Sequence, residues 1–177
     1  MENLDVLDNQ GNKTGEIKSR DEVHKKGLWH RTVHIWIINS NNDILMQLRS
    51  PEKKSNPNKW TTSASGHLSA GDESAEGAAR ELGEEIGLYV NPEELEYLFT
   101  IHEQFTNDNM INNEIVDVYM IRRDIEINDF CLQKEEVSAV KWVKQKDFKE
   151  LIKDCEKNKI VPHIEMLERL LEILENN

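Results

Sequence analysis

The sequence predicts an α+β fold, because two kinds of apolar periodicity follow one another along the chain. Residues 4–8 alternate between apolar and polar side chains, and residues 29–39 are rich in β-branched and aromatic side chains, as is typical of strands. In residues 73–86 the apolar side chains recur instead at helical spacing. Strands that first pair as hairpins and later alternate with helices indicate the mixed class.

The first 28 residues are expected to form an extension that consists of a hairpin and a short helix. Its predicted elements, in order, are a strand (4–8), a turn (9–12), a return strand (14–17) and a helix (19–24). The side chain of Ser19 is suited to cap this helix at its start, and Gly27 is suited to end it.

The rest of the chain contains neither a repeat nor a low-complexity linker. Further strands are predicted at residues 29–39, 44–48, 60–64, 95–104, 115–121 and 137–143. The first two are joined by a polar turn and are expected to form a hairpin, and residues 51–59 and 66–71 are expected to be loops. Helices are predicted at residues 73–86, 146–155 and 162–177.

The C-terminal helix (162–177) carries one apolar stripe. Its members are Ile164, Leu167, Leu170, Leu171 and Leu174. Such a stripe packs on the core of its own domain or contacts a second copy in a homodimer, and we favour packing within the chain.

Length and charge exclude several classes of function. The chain has 177 residues and a formal net charge of −12, from 22 Lys and Arg against 34 Asp and Glu. This length suits one domain over residues 1–177, and an acidic surface disfavours general nucleic-acid binding. We find no membrane-spanning run and no signal-peptide pattern, and two cysteines provide neither a disulfide framework nor a zinc motif. We therefore expect a cytoplasmic protein.

Residues 66–88 combine a glycine-containing loop with an acidic helix. On a helix, Glu81, Glu84 and Glu85 occupy positions i, i+3 and i+4, so that three carboxylates project from one face near the carboxyl end, where anions are disfavoured. A divalent cation such as Mg²⁺, which prefers oxygen ligands, would offset this repulsion. A Glu-rich helix is more often only a solvated face, so these three residues alone do not decide between the two interpretations.

The spacing of the whole segment resembles the Nudix box. That pattern is Gly, five residues, Glu, seven residues, and then Arg-Glu-apolar-any-Glu-Glu-any-Gly-apolar. The matching residues are Gly66, Arg80, Glu81, Leu82, Glu84, Glu85, Gly87 and Leu88. One position departs from the pattern, because Asp72 stands where it has Glu, and the shorter side chain leaves either Asp72 or Glu73 to pair with Arg80 and fix the loop against the helix.

The resemblance implies an α/β/α sandwich with a mixed β-sheet, in which the box forms a loop–helix–loop. It also implies a metal-dependent hydrolase that cleaves a diphosphate linkage in a nucleoside diphosphate-type substrate, with Mg²⁺ or Mn²⁺ as the cofactor. Carried over to this chain, Glu81, Glu84 and Glu85 hold the metal, with the carbonyl of Gly66 as a further ligand. A glutamate of this set, or an acid on a later loop, accepts the proton of the attacking water.

The flanking sequence is similar to the branch of this superfamily that contains isopentenyl-diphosphate isomerase. In this resemblance His24, His30 and His67 match metal-binding histidines, and Glu114 matches a catalytic acid. Ser65 occupies the position of the catalytic Cys, and a hydroxyl is a poor substitute for a thiol with a pKa of about 8.5. The absent Cys and the complete set of box acids favour the hydrolase.

Other residues beside the box have less specific patterns. Asn112 stands where the isomerase has a further metal-binding carboxylate. Arg49 and His67 are the candidate substrate-binding residues, with a surface salt bridge as the alternative for Arg49. For His24 and His30, a structural role and a second metal site are both open.

Three functions are compatible with these residues. A diphosphate hydrolase with Glu81, Glu85 and Glu114 as catalytic residues is preferred, and an isomerase-like enzyme is the alternative. A non-catalytic module that binds a nucleotide is the third, although none of the box carboxylates is lost. The box does not specify the substrate.

Overall fold

In a computed structural model, which describes residues 2–107 and 110–176, a mixed β-sheet lies between two layers of helices. Its strands are β1 (Asn3–Leu7), β2 (Lys13–Ser19), β3 (Trp29–Ile38), β4 (Ile44–Arg49), β5 (Trp60–Thr61), β6 (Ala64–His67), β7 (Glu96–Asn107), β8 (Met110–Arg122) and β9 (Val137–Val143). Its α-helices are α1 (Arg20–Lys26), α2 (Ser74–Ile86), α3 (Gln145–Leu151) and α4 (Ile164–Asn176).

Strand β3 is the centre of the sheet. It pairs in parallel with β8 over its whole length, and its other edge is shared by β1 at the start, β6 in the middle and β4 at the end. Most of its side chains are buried on both faces, as in parallel sheets that are covered by helices on both sides. This pairing brings β6 and β8, which are far apart in sequence, to the two edges of one strand.

The two faces of the sheet pack against different helices. Helix α2 covers one face, and its buried side chains Ala78, Leu82 and Ile86 join alternate residues of β3 in one hydrophobic core. Helices α3 and α4 cover the opposite face, where Trp36 and Phe148 belong to the second core. The mixed sheet between helical layers confirms the predicted α/β/α sandwich of the α+β class.

The predicted capping residues of helix α1 and the glycine predicted to end helix α2 are confirmed, although α1 continues to Lys26 rather than ending at His24. The hydroxyl of Ser19 accepts a hydrogen bond from the backbone N–H of Glu22, and Gly27 follows α1 with a φ of +62°. Gly87 follows α2 with a φ of +74°, a conformation that favours glycine.

The structure corrects two predictions about the strands. The predicted hairpin of β3 and β4 is reduced to the single register pair Ile38–Ile44, because β4 pairs mainly with β9 while β6 takes the neighbouring edge of β3. Gly66 and His67, expected in a loop, lie in β6 and pair with β3. Pairing between distant segments, which local patterns do not specify, decided both positions.

Helix α4 begins at Ile164 rather than at Pro162, and most of its apolar stripe packs within the chain. Leu167, Leu170 and Leu174 are buried in the core that α4 shares with the sheet, whereas Ile164, in the first turn, is 46% exposed. Among the described residues, no helix combines the length and the apolar character needed to cross a membrane.

Candidate active site

Helix α2 directs two of its three box glutamates into the protein. Glu81 and Glu85 are only 8% and 5% exposed, whereas Glu84 is exposed and its carboxylate accepts a hydrogen bond from Arg80 at 3.0 Å. Burying a carboxylate disfavours its ionised form. One and a half turns of helix therefore carry two buried acids beside an exposed one.

The carboxylate of Glu81 lies directly on Gly66. A Cβ atom at residue 66 would overlap with this carboxylate, so only glycine leaves the space that Glu81 occupies. Burial raises the pKa of Glu81 to about 8, although the charge of Arg80, which is 2.9 Å from a Glu81 oxygen, acts in the opposite direction. The glycine that begins the predicted box is thus required by contact with an acid of the helix.

The carboxylate of Glu85 is held by two donors from the sheet. Its Oε2 accepts hydrogen bonds from the side-chain amide of Gln47 at 2.8 Å and from the backbone N–H of Ser65 at 3.0 Å. Burial raises the pKa of Glu85 to about 7, while these hydrogen bonds and the charge of Lys53 lower it. In the described part of the chain, its Oε1 accepts no hydrogen bond.

Arg80 links the box helix to strand β6 mainly through the backbone. Its guanidinium donates to the carbonyl of His67 at 3.0 Å, and it lies beside Glu81 and Glu84. Asp72 is 3.9 Å away, at the limit of an ion pair, and Glu73 is exposed. Of the two predicted loop partners of Arg80, Asp72 thus makes only this long contact, and the hydrogen bond to His67 joins the helix to strand β6 instead.

A second group of polar side chains converges on the other side of β6. His24, His30, His67 and Glu114 each place one ligand atom within 4.8 Å of the others. Nδ1 of His30 lies 3.0 Å from the carbonyl of Leu28, so it carries the proton and leaves a lone pair on Nε2. That Nε2 is buried without a hydrogen-bond partner among the described residues, and it lies 3.9 Å from a carboxylate oxygen of Glu114.

Burial keeps this group of histidines neutral. It lowers the pKa of His30 to about 4, lowers that of His67 well below the ordinary value, and also lowers that of His24. Burial raises the pKa of Glu114 to about 7, and the charge of Glu103 acts in the same direction. Neutral imidazoles and a carboxylate around one point are a donor set that fits a divalent transition metal.

Strand β6 joins the two groups into one site. Ser65 donates its backbone N–H to Glu85, Gly66 lies against Glu81, and His67 belongs to the histidine group. Side chains alternate between the faces of a strand, so the Glu81 contact at Gly66 and the side chain of His67 are on opposite faces. Three consecutive residues thus contact both the box acids and the histidines.

Among the described residues, three cations besides Arg80 lie around this site, and the sequence identified only Arg49 among them. The guanidinium of Arg49 donates to the carbonyl of Ser55 at 3.1 and 2.9 Å; burial lowers its pKa, and the charges of Glu85 and Glu114 act in the opposite direction. Lys53, which pairs with Glu136 just before β9, and Arg20 both lower the pKa of His67, in addition to the larger effect of burial. Arg20 and Lys53 occur in polar segments, where nothing in the local pattern distinguishes them from other surface cations.

Two further polar residues were missed for different reasons. Gln47 is a buried amide between apolar residues of strand β4, and this interruption was a usable signal. Glu103 lies opposite Glu114 on β7, and only the register of the two strands reveals it. Asn112, predicted to replace a metal-binding carboxylate, is buried with its Oδ1 unpaired among the described residues.

Comparison with known families decides the membership of the chain. The model of the NUDIX domain matches residues 28–164, which is well over half of the chain. The chain belongs to the Nudix family. The matched range includes the box, all strands from β3 to β9 and three members of the histidine group, whereas His24 precedes it.

Relatives of this Nudix protein include both hydrolases and isomerases. Nudix hydrolase 3 of Arabidopsis thaliana is 45% identical over 156 residues, or 85% of this chain, which spans only 20% of the plant protein. Isopentenyl-diphosphate Delta-isomerase 2 of Photorhabdus laumondii is 31% identical over 152 residues, covering 86% of this chain and 82% of the isomerase. The crystal structure of DR0079 from Deinococcus radiodurans shares the fold, with a TM-score of 0.68, 20% identity, and coverage of 99% of this chain and 98% of that one.

Proposed function

We propose that this Nudix protein is a metal-dependent hydrolase that cleaves a diphosphate linkage in a nucleoside diphosphate-type substrate, with Mg²⁺ or Mn²⁺ as its cofactor. The observation that supports this most directly is the pair of carboxylates, Glu81 and Glu85, buried against β6. With pKa values of about 8 and 7, both acids are partly protonated near neutral pH unless a cation favours their ionised forms. Hard divalent cations prefer such oxygen ligands.

Each acid has a distinct role in this proposal. Glu81 and Glu85 hold the cation, with the carbonyl of Gly66 as a further ligand, whereas Glu84 has to leave Arg80 to contribute. The cation supplies charge neutralisation at the diphosphate and lowers the pKa of water. Glu114 is suited to accept a proton from the attacking water, because its pKa of about 7 matches neutral pH.

The surrounding cations suit the binding of a diphosphate. A substrate with several negative charges enters a site that already contains buried acids, so positive charge is needed to offset repulsion. Arg49 and Lys53 supply it beside Glu85, and Arg20 and Lys53 supply it beside His67. We assign Arg49 and His67 to substrate binding on this basis, with Lys53 as an addition.

A hydrolysis screen tests the proposal. Purified protein with Mg²⁺ or Mn²⁺ is incubated with nucleoside diphosphates, nucleoside triphosphates, sugar nucleotides and prenyl diphosphates, and released phosphate or nucleotide is measured. We expect metal-dependent turnover of at least one nucleotide, loss of turnover in Glu85→Gln, and full turnover in Glu76→Gln, which changes an exposed acid of the same helix. No turnover across the panel, or undiminished turnover in Glu85→Gln, contradicts it.

An isomerase-like reaction is the second candidate, and the group of His24, His30, His67 and Glu114 supports it. Ser65 argues against it, since its hydroxyl is far less acidic than a thiol. Incubation with isopentenyl diphosphate in deuterated water distinguishes the two. Deuterium incorporation without hydrolysis favours the isomerase, and no exchange at high protein concentration excludes it.

A further inference from the structure

Three polar side chains on the α4 side of the sheet are not used by the proposed reaction. His163, the residue before α4, places its Nδ1 2.8 and 2.7 Å from the two carboxylate oxygens of Glu103. The ring of His163 meets the ring of His34 edge-on, with centroids 4.8 Å apart and planes at 88°. A loop before a helix, strand β7 and strand β3 thus contribute one residue each.

This trio borders the site directly. Glu103 lies opposite Glu114 in the register of β7 and β8. His34 lies opposite Ser65 in the register of β3 and β6, and Ser65 is the residue whose N–H holds Glu85. Glu103 and His34 are therefore each one interstrand spacing from a residue of the site.

A purely structural role does not account for these side chains. His34 is fully buried and kept neutral by burial, which sets its pKa well below the ordinary value. Its Nδ1 has no hydrogen-bond partner among the described residues, and neither does Nε1 of Trp36, two residues further along the strand. Buried polar atoms without partners are costly, and an aliphatic residue at position 34 would pack in the same core without that cost.

The hydrogen bond between Nδ1 of His163 and Glu103 leaves Nε2 as the nitrogen that can bind a ligand. Because Nδ1 donates to the carboxylate of Glu103, Nε2 is the ring nitrogen left to form a hydrogen bond with a hydroxyl or an amine. Among the described residues no hydrogen-bond partner reaches this atom, and the side chain is only 14% exposed. A mostly buried ring nitrogen and an unpaired buried imidazole therefore lie next to the acids of the site.

We infer that His163, oriented by Glu103, binds the non-phosphate part of the substrate and selects a polar, hydrogen-bonding group such as a sugar over a hydrocarbon tail. This inference rests on the proposed function, because it concerns the substrate of the same site. A hydrocarbon tail in this position would leave the polar groups of the site without hydrogen-bond partners. A site discriminates against such a ligand more strongly than against one that differs only slightly in size. His163 is a specificity-determining residue and takes no part in bond cleavage.

Equilibrium binding tests this inference with two probes that share a diphosphate. ADP-ribose carries polar groups and geranyl diphosphate a hydrocarbon tail, and calorimetry with Ca²⁺ as the cation gives Kd for each. We expect wild type to bind ADP-ribose at least 10-fold more tightly. In His163→Leu the Kd for ADP-ribose rises about 10- to 100-fold, while that for geranyl diphosphate is unchanged or falls.

Matched variants separate selection from folding. His163→Gln retains a group that can both donate and accept a hydrogen bond, and it is expected to keep the Kd for ADP-ribose within about 3-fold of wild type. The same is expected of His102→Leu, which changes an exposed histidine of β7. Glu103→Gln holds the ring of His163 less firmly, so it should raise the Kd for ADP-ribose by about 3- to 10-fold without changing that for geranyl diphosphate. This variant replaces His163→Leu in the test if His163→Leu does not fold.

The possible failures are distinguishable. Equal binding of both probes by wild type, or an unchanged ratio in His163→Leu and Glu103→Gln, overturns the inference even if the protein hydrolyses a nucleotide. Selective binding of ADP-ribose that depends on His163, without turnover of any diphosphate in the hydrolysis screen, supports the inference and contradicts the proposed hydrolysis. Absence of binding to either probe overturns the inference as well.

Discussion

Replacing Glu85 with Gln is expected to stabilise the metal-free protein while it abolishes turnover. The two hydrogen bonds to this residue, from Gln47 and from the backbone of Ser65, end on the same oxygen, Oε2. The carbonyl oxygen of a glutamine can accept both, and its amide group takes the place of the oxygen that has no bond. The substitution therefore removes a buried charge without removing a contact.

The magnitude follows from the shift in acidity. The pKa of Glu85 rises from its ordinary value of 4.5 to about 7 in the folded protein, so the folded state holds this proton more tightly than the unfolded chain does. The free energy of unfolding thus falls as pH rises from 4.5 to about 7, and the loss is constant above that. Its upper limit is about 3 kcal/mol, or about 6 to 12 °C in the Tm of a domain of this size.

Thermal unfolding in EDTA measures this effect. At pH 8.5 we expect the Tm of Glu85→Gln to exceed that of wild type by up to about 6 to 12 °C. At pH 5 the difference in the free energy of unfolding shrinks to under about 1 kcal/mol, because Glu85 is then protonated in the folded wild type. Glu76→Gln, which changes an exposed acid of α2, serves as the control for the substitution itself. A difference between Glu85→Gln and wild type that does not grow with pH would mean that the carboxylate is solvated, and the proposed cation site would lose its basis.

Three other substitutions test separate parts of the structure. Gly66→Ala forces only the end of the Glu81 side chain to move, so metal-dependent turnover falls at least about 10-fold in kinetic assays while Tm changes little, and full turnover contradicts the contact. His30→Gln removes a buried histidine with a pKa of about 4. Because this histidine binds a proton more weakly in the folded protein than in the unfolded chain, it lowers the free energy of unfolding increasingly as pH falls from 6.5 to about 4. Circular dichroism in EDTA should therefore show acid unfolding of His30→Gln at lower pH than in wild type. Gly87→Ala places a Cβ 2.7 Å from Cβ of Cys131 at a φ of +74°, so urea unfolding should show a loss of about 1 to 3 kcal/mol, and an unchanged midpoint refutes it.

Local patterns predicted the elements of this fold because the signals lie within a few residues of one another. Ser19 and Gly27 mark the ends of α1 through contacts made inside one or two turns. The box acids belong to one helix, so their common side follows from sequence spacing alone. The same reasoning could not tell which acids would be buried, since that depends on where β6 lies, and Glu84 proved to be exposed.

Pairing between distant strands supplied what the sequence could not. Within the histidine group, only the resemblance to the isomerase branch linked His24 to Glu114, which are 90 residues apart in the chain. The trio of His34, Glu103 and His163 had no such guide, because its members come from β3, β7 and the start of α4 and have no common motif.

Burial, rather than residue type, distinguishes the site from the rest of this acidic chain. Most of its 34 Asp and Glu residues need no partner, because water solvates them, and their number says nothing about chemistry. Glu81, Glu85 and Glu114 differ because the sheet and α2 remove water from them and raise each pKa towards or above neutrality. A fold that buries three such acids loses stability as pH rises from about 4.5 through neutrality, and a cation that binds only the folded state offsets this loss. The stabilisation that the cation adds should therefore grow as pH increases through this range, together with the affinity for the cation.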